Sequence, residues 1–153
     1  MKKKSFLLIS VLSVGILLTG CNKKAASFDV NKLGEDLNSK ITYQDELMNL
    51  DVDTASMFLN LSDINLVNTA IYEGSGATAE EIVVLECASG EDATKAQTML
   101  KDRVEEQKES FENYVPGELT KLDAAVIEVN GNYVVLSVSD DPDGAKKIIA
   151  EYM

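Results

Sequence analysis

The chain of 153 residues contains no His and no Trp, two Pro, two Cys (Cys21 and Cys87) and a single Arg, Arg103. Each scarcity closes a route. Without His there is no Ser-His-Asp triad, no Cys-His nucleophile pair and no His-ligated zinc. Basic residues are few: 14 Lys plus Arg stand against 26 Asp plus Glu, a net charge of −12. Phosphate contacts need clustered Lys and Arg, so nucleic acid is not an expected partner. No cofactor is implied, and no catalytic residue or metal ligand is assigned.

The one long hydrophobic run lies at the start. Lys2, Lys3 and Lys4 precede Phe6–Leu18, an apolar stretch of 13 residues. A permanent membrane helix needs about 20 residues, so residues 1–20 read as a secretory signal peptide. The run ends in Leu18-Thr19-Gly20-Cys21, which resembles a bacterial lipobox. That pattern implies cleavage after Gly20 and a diacylglyceryl group on the Cys21 thiol. Two acyl chains suffice for stable anchoring, so the expected location is the extracytoplasmic face of the cell membrane. Removing residues 1–20 takes away three Lys and no acid, leaving a net charge of −15. Anionic lipid repels such a surface, so the lipid anchor is the expected membrane contact. With Cys21 lipidated, Cys87 has no partner for an internal disulfide. Its apolar surroundings, Ile82-Val83-Val84-Leu85-Glu86-Cys87, predict a buried, inert thiol.

Residues 21–27 read as the lipidated Cys and a tether, and residues 28–153 as one domain. Ser27 is expected to cap a helix over 28–40 with Val30, Leu33 and Leu37 on one stripe. Residues 41–52 carry no clear period, and Asp53 is expected to cap a short helix to about Leu59. Strands are predicted over 64–73 and 82–88. A long helix follows over 91–113, its apolar stripe Ala93, Ala96, Leu100, Val104 and Phe111. Asn130-Gly131 between Val126–Val129 and Asn132–Ser139 predicts a two-residue type I′ hairpin, with Ile127 opposite Val134. Asp141-Pro142 starts a last helix. The order ααββαββα predicts an α+β fold: a four-stranded, mainly antiparallel sheet covered on one face by helices.

Few positions suggest chemistry. Gly74-Ser75-Gly76-Ala77-Thr78-Ala79 has the spacing of a dinucleotide loop, but a strand follows where that site needs a helix, so it reads as a turn. Asp51 with Asp53, and Asp140, Asp141 and Asp143, fall short of a calcium loop and read as helix caps. Glu80 and Glu81 are adjacent carboxylates, either a solvated turn or the acid/base pair of a carboxylate-dependent enzyme. Arg103, the only guanidinium, reads either as a bridge to an acid such as Glu80 or Glu81 or as a clamp on an anionic ligand. Gln107 and Tyr114 continue its line along the helix.

Four motifs recur together: Gly76-Ala77-Thr78-Ala79-Glu80-Glu81-Ile82, Arg103 with Gln107, Tyr114-Val115-Pro116, and Gly131-Asn132-Tyr133-Val134. In this series, over about Leu33 to Ile149, the chain resembles domain-of-unknown-function family 4358, small lipoproteins of low-GC Gram-positive bacteria. The resemblance implies a lipoprotein outside the cytoplasmic membrane and supplies no reaction. Arg103, Gln107, Glu80, Glu81 and Tyr114, with Tyr133 of the last motif, stand as candidate structural or ligand contacts. The expected function is a lipid-anchored, non-catalytic binding or interaction module for an envelope protein or a small ligand. A carboxylate-dependent envelope enzyme and an accessory subunit of an envelope complex are the alternatives.

Overall fold

A computed structural model describes residues 27–153; the signal segment, Cys21 and most of the tether lie outside the described residues. The fold is α+β. Helix α1 (Val30–Lys40) leads to a short strand β1 (Met48–Leu50) and one turn of helix, α2 (Val52–Ala55). Strands β2 (Leu66–Glu73) and β3 (Glu81–Cys87) form a hairpin, and the long helix α3 (Gly90–Glu112) follows. A 3-10 turn at Pro116–Glu118 runs into α4 (Leu119–Asp123), then the hairpin β4 (Val126–Asn130) and β5 (Tyr133–Val138), and finally α5 (Pro142–Ala150). The sheet is antiparallel throughout, in the order β1-β2-β3-β5-β4.

The sheet has five strands, not four. The fifth, β1, comes from the stretch without a period. It pairs with the open edge of β2, Asn49 opposite Tyr72. A three-residue edge strand gains its ladder from its neighbour rather than from its own pattern. Helices also cover both faces, not one. Val83, Leu85, Val134 and Leu136 pack against Ala96, Leu100 and Val104 of α3. Ile82, Val84, Val126 and Val135 pack against Leu33 and Leu37 of α1 and Ile148 and Ile149 of α5. Near-continuous apolar runs are what strands buried on both sides require, and every residue of β5 is buried.

The caps shift by two residues. Asp29, not Ser27, caps α1 by accepting from Asn31 N–H at 2.9 Å. Asp51, not Asp53, caps α2 through Thr54 N–H at 2.8 Å. The second hairpin turns on Gly131-Asn132 rather than Asn130-Gly131, and pairs Ile127 with Leu136 and Val129 with Val134. Of the two turn residues only Gly131 has a positive φ, 59°, the type II′ pattern rather than type I′. Each partner moves by two residues, so every side chain keeps its expected face. At the other end of the sheet, a Cβ on Gly34 would stand 2.8 Å from Ala70 Cβ, so α1 sits directly on β2.

Candidate functional site

The β2–β3 pairing sets Glu73 directly opposite Glu81, and like charges at such positions repel. Arg103 resolves this from α3. Its Nε and Nη2 both donate to Glu81 Oε2, at 3.1 and 2.9 Å, and Nη2 also reaches Glu73 Oε1 at 3.2 Å. One helical turn on, Gln107 Nε2 donates to the same Glu81 Oε2 at 3.2 Å. Residues four apart share a helix face, which is why both reach one carboxylate. The guanidinium lies over the Phe58 ring, 4.9 Å from its centre, a cation–π contact.

One guanidinium serves two carboxylates here. Glu73 Oε2 and Glu81 Oε1 are buried without a hydrogen-bond partner. Burial, together with the Glu81 charge, pushes the Glu73 carboxyl up to about 8 against the pull of Arg103. A proton on Glu73 turns an acceptor into a donor toward Glu81, and that hydrogen bond adds to the upward shift.

Glu80 and Glu81 are both buried, at 1 % exposure each, and they serve different partners. Glu80 accepts from Gln44 N–H at 2.9 Å, Asp45 N–H at 3.0 Å and Thr78 Oγ1 at 3.2 Å. Its other oxygen meets the buried Lys121 ammonium at 3.0 Å. Lys121 also pairs with Glu118 at 3.1 Å, and Glu118 accepts from Ala79 N–H at 2.8 Å. This second cluster ties the 44–45 turn and α4 to the start of β3. The solvated turn and the facing acid pair expected for Glu80 and Glu81 both give way to two separate ion clusters, each with one cation shared between carboxylates.

Tyr133 stands apart from Arg103, in the layer of α1 and α5. It donates from its hydroxyl to Glu86 Oε1 at 3.0 Å, with its ring 4.3 Å from that of Phe28. Tyr114 is exposed at the end of α3 beside Phe111. Cys87 is buried, and burial raises its thiol to about 11. Three contributors escaped the sequence reading: Glu73, Glu118 and Lys121. Glu73 follows from the hairpin register once Glu81 is singled out. Glu118 and Lys121 are an ordinary pair three residues apart, and nothing local marks the Glu80 partner 41 positions away.

Two concavities flank Arg103. A groove of about 1050 Å³ runs between segment 56–64 and α3, with Met57, Phe58, Asp63, Thr98, Met99 and Arg103 among its walls. A cavity of about 240 Å³ lies beyond Glu73, lined by Thr78, Gln107, Ser110, Phe111 and Tyr114. Among the described residues no helix is long and apolar enough to cross a membrane.

These features define an α+β domain with buried ion clusters at one end of its sheet and a groove beside its longest helix. The family model described as a domain of unknown function, DUF4358, matches residues 39–139, well over half of the chain, and the chain belongs to that family. No curated protein matches it, and no solved structure does.

Proposed function

We propose that this protein is a non-catalytic binding module, held on the extracytoplasmic face of the cell membrane by a diacylglyceryl group on Cys21. The observation that carries the reading is the groove of about 1050 Å³ beside α3. Its mixed walls, with Met57 78 % exposed, suit a protein or peptide surface. The pairing of Glu80 with Lys121 and of Glu81 with Arg103 supports a module over an enzyme that relies on those two groups. An accessory role in an envelope complex is one form of the same reading.

The experiment is a photo-crosslinking residue at Thr98, in the groove, compared with one at Lys146, on α5. A discrete adduct on intact cells from position 98 alone is the expected result. Equal adducts from both positions, or none, count against the module. The anchor has its own test: Cys21→Ala abolishes metabolic palmitate labelling, and normal labelling of that variant sinks the lipoprotein reading. A carboxylate-dependent enzyme is the second reading, and the Glu73–Glu81 pair is the observation that favours it, through the proton held on Glu73.

A further inference from the structure

The cavity beyond Glu73 is lined mainly by side-chain acceptors, with the Tyr114 phenol at its edge. Ser110 Oγ donates its hydrogen to Glu106 O at 2.9 Å, and Thr78 Oγ1 donates to Glu80 Oε2 at 3.2 Å. The Gln107 amide nitrogen is turned to Glu81 at 3.2 Å, which leaves the amide oxygen as an acceptor. Glu73 adds a carboxyl with an unpartnered buried oxygen. These groups have spent donors inward and retain lone pairs. Phe111 and Tyr114 complete the wall with aromatic rings.

A group that only donates, carries positive charge and attracts ring faces fits such a lining. An ammonium has three donors and no acceptor, and aromatic faces attract cations. The charges balance as well, because Arg103 offsets only one of the two carboxylates it touches. We propose that this cavity binds a primary ammonium on a short alkyl stem, with Glu73 as its counter-ion and Phe111 and Tyr114 against its stem. A volume of about 240 Å³ holds such a group. The ammonium is either a free amine or the end of a larger molecule. With no such ligand, a proton takes its place on Glu73 below about pH 8. The charged groups facing Glu73 are Glu81 from β3 and Arg103 from α3, so proton and ammonium compete for one carboxylate.

This inference rests on the binding-module reading, but its failure is separable, because crosslinks from Thr98 do not involve the Glu73 cavity. The test is a titration of the full-length chain in nonionic detergent with n-butylammonium at pH 9, followed through backbone amide shifts. Saturable shifts at Gly76, Ser110, Phe111 and Tyr114 are expected, with none from n-butanol. With Glu73 titrating at about 8, affinity falls about 30-fold between pH 9 and pH 6.5. Glu73→Gln removes the counter-ion, and Ser110→Phe blocks the cavity from an exposed helix position; each weakens binding at least about tenfold. An Nα-acetyl-lysine amide binding as well as n-butylammonium assigns the site to the end of a larger molecule, and butylammonium alone binding assigns it to a free amine. No saturable binding, an equal response to n-butanol, or wild-type binding by both variants overturns the proposal.

Discussion

Arg103→Ala is the most informative perturbation of the Glu73–Glu81 pair. The Arg103 side chain is 15 % exposed and its partner Glu81 is 1 % exposed, so the substitution strands a carboxylate in a dry site. Breaking a buried pair from one side costs ~3–5 kcal/mol. An independent limit agrees. A stranded carboxylate can take up a proton, at about 1.4 kcal/mol per pH unit above the ordinary carboxylate value, so its cost at pH 7 stops near ~4 kcal/mol. Loss of the Phe58 stacking adds about 0.5–1 kcal/mol. A domain of this size loses about 2–4 °C per kcal/mol, so a total of about 3.5–5 kcal/mol lowers the midpoint at pH 7 by roughly 7–20 °C. The sign of the pH dependence follows from the same limit. The cost of holding a proton vanishes as pH approaches the ordinary carboxylate range, so the loss shrinks to the stacking contribution near pH 4.5. Arg103→Lys recovers part of the loss at pH 7, since an ammonium supplies charge without the planar fork. The assay is thermal unfolding of the full-length chain in nonionic detergent at both pH values. An unshifted midpoint at pH 7, or an equal loss at pH 4.5 and pH 7, refutes the reasoning.

Glu73→Gln acts in the opposite sense. The folded chain keeps a proton on Glu73 up to about 8 that the unfolded chain releases near 4.5, so wild-type stability falls across that window as pH rises. The slope is at most about 1.4 kcal/mol per pH unit, and the variant is level with wild type near pH 4.5 and more stable at pH 8 by melting; equal midpoints at pH 8 contradict this. Gly34→Ala inserts a Cβ 2.8 Å from Ala70 Cβ and 2.9 Å from a Tyr72 ring carbon. Despite a gain of about 1 kcal/mol in helix propensity, the overpacking costs about 1–3 kcal/mol, and a raised midpoint in denaturant would rule the clash out. Cys87, with its thiol raised to about 11, resists maleimide in the folded chain and reacts after urea unfolding, as peptide mass mapping reports; rapid native labelling of the Cys87 peptide is the contrary result.

Local patterns in the sequence determined the elements whose signals are local. The long helix α3 lies within a residue of its predicted ends, because Ala93, Ala96, Leu100 and Val104 recur at helical spacing and Ser89 caps it through Asp92 N–H. The faces of the β4–β5 hairpin follow from alternation, which survives the change of turn because the register moves by two residues. Tertiary structure decided what depends on distant partners. Strand β1 exists because β2 offers it an open edge, and nothing in Met48–Leu50 encodes that edge. Coverage of both faces depends on where α1 and α5 return, although the unbroken apolar runs of β3 and β5 are consistent with it. The ion clusters were the least legible. Glu80 and Glu81 are neighbours in sequence, yet Glu80 is tied to Lys121 across 41 positions and Glu81 to Arg103 across 22. Charge alone does not choose among 26 acids; burial does. Removing a carboxylate from water is tolerable only where the fold delivers a cation or a proton to it, and that meeting is a property of the folded chain.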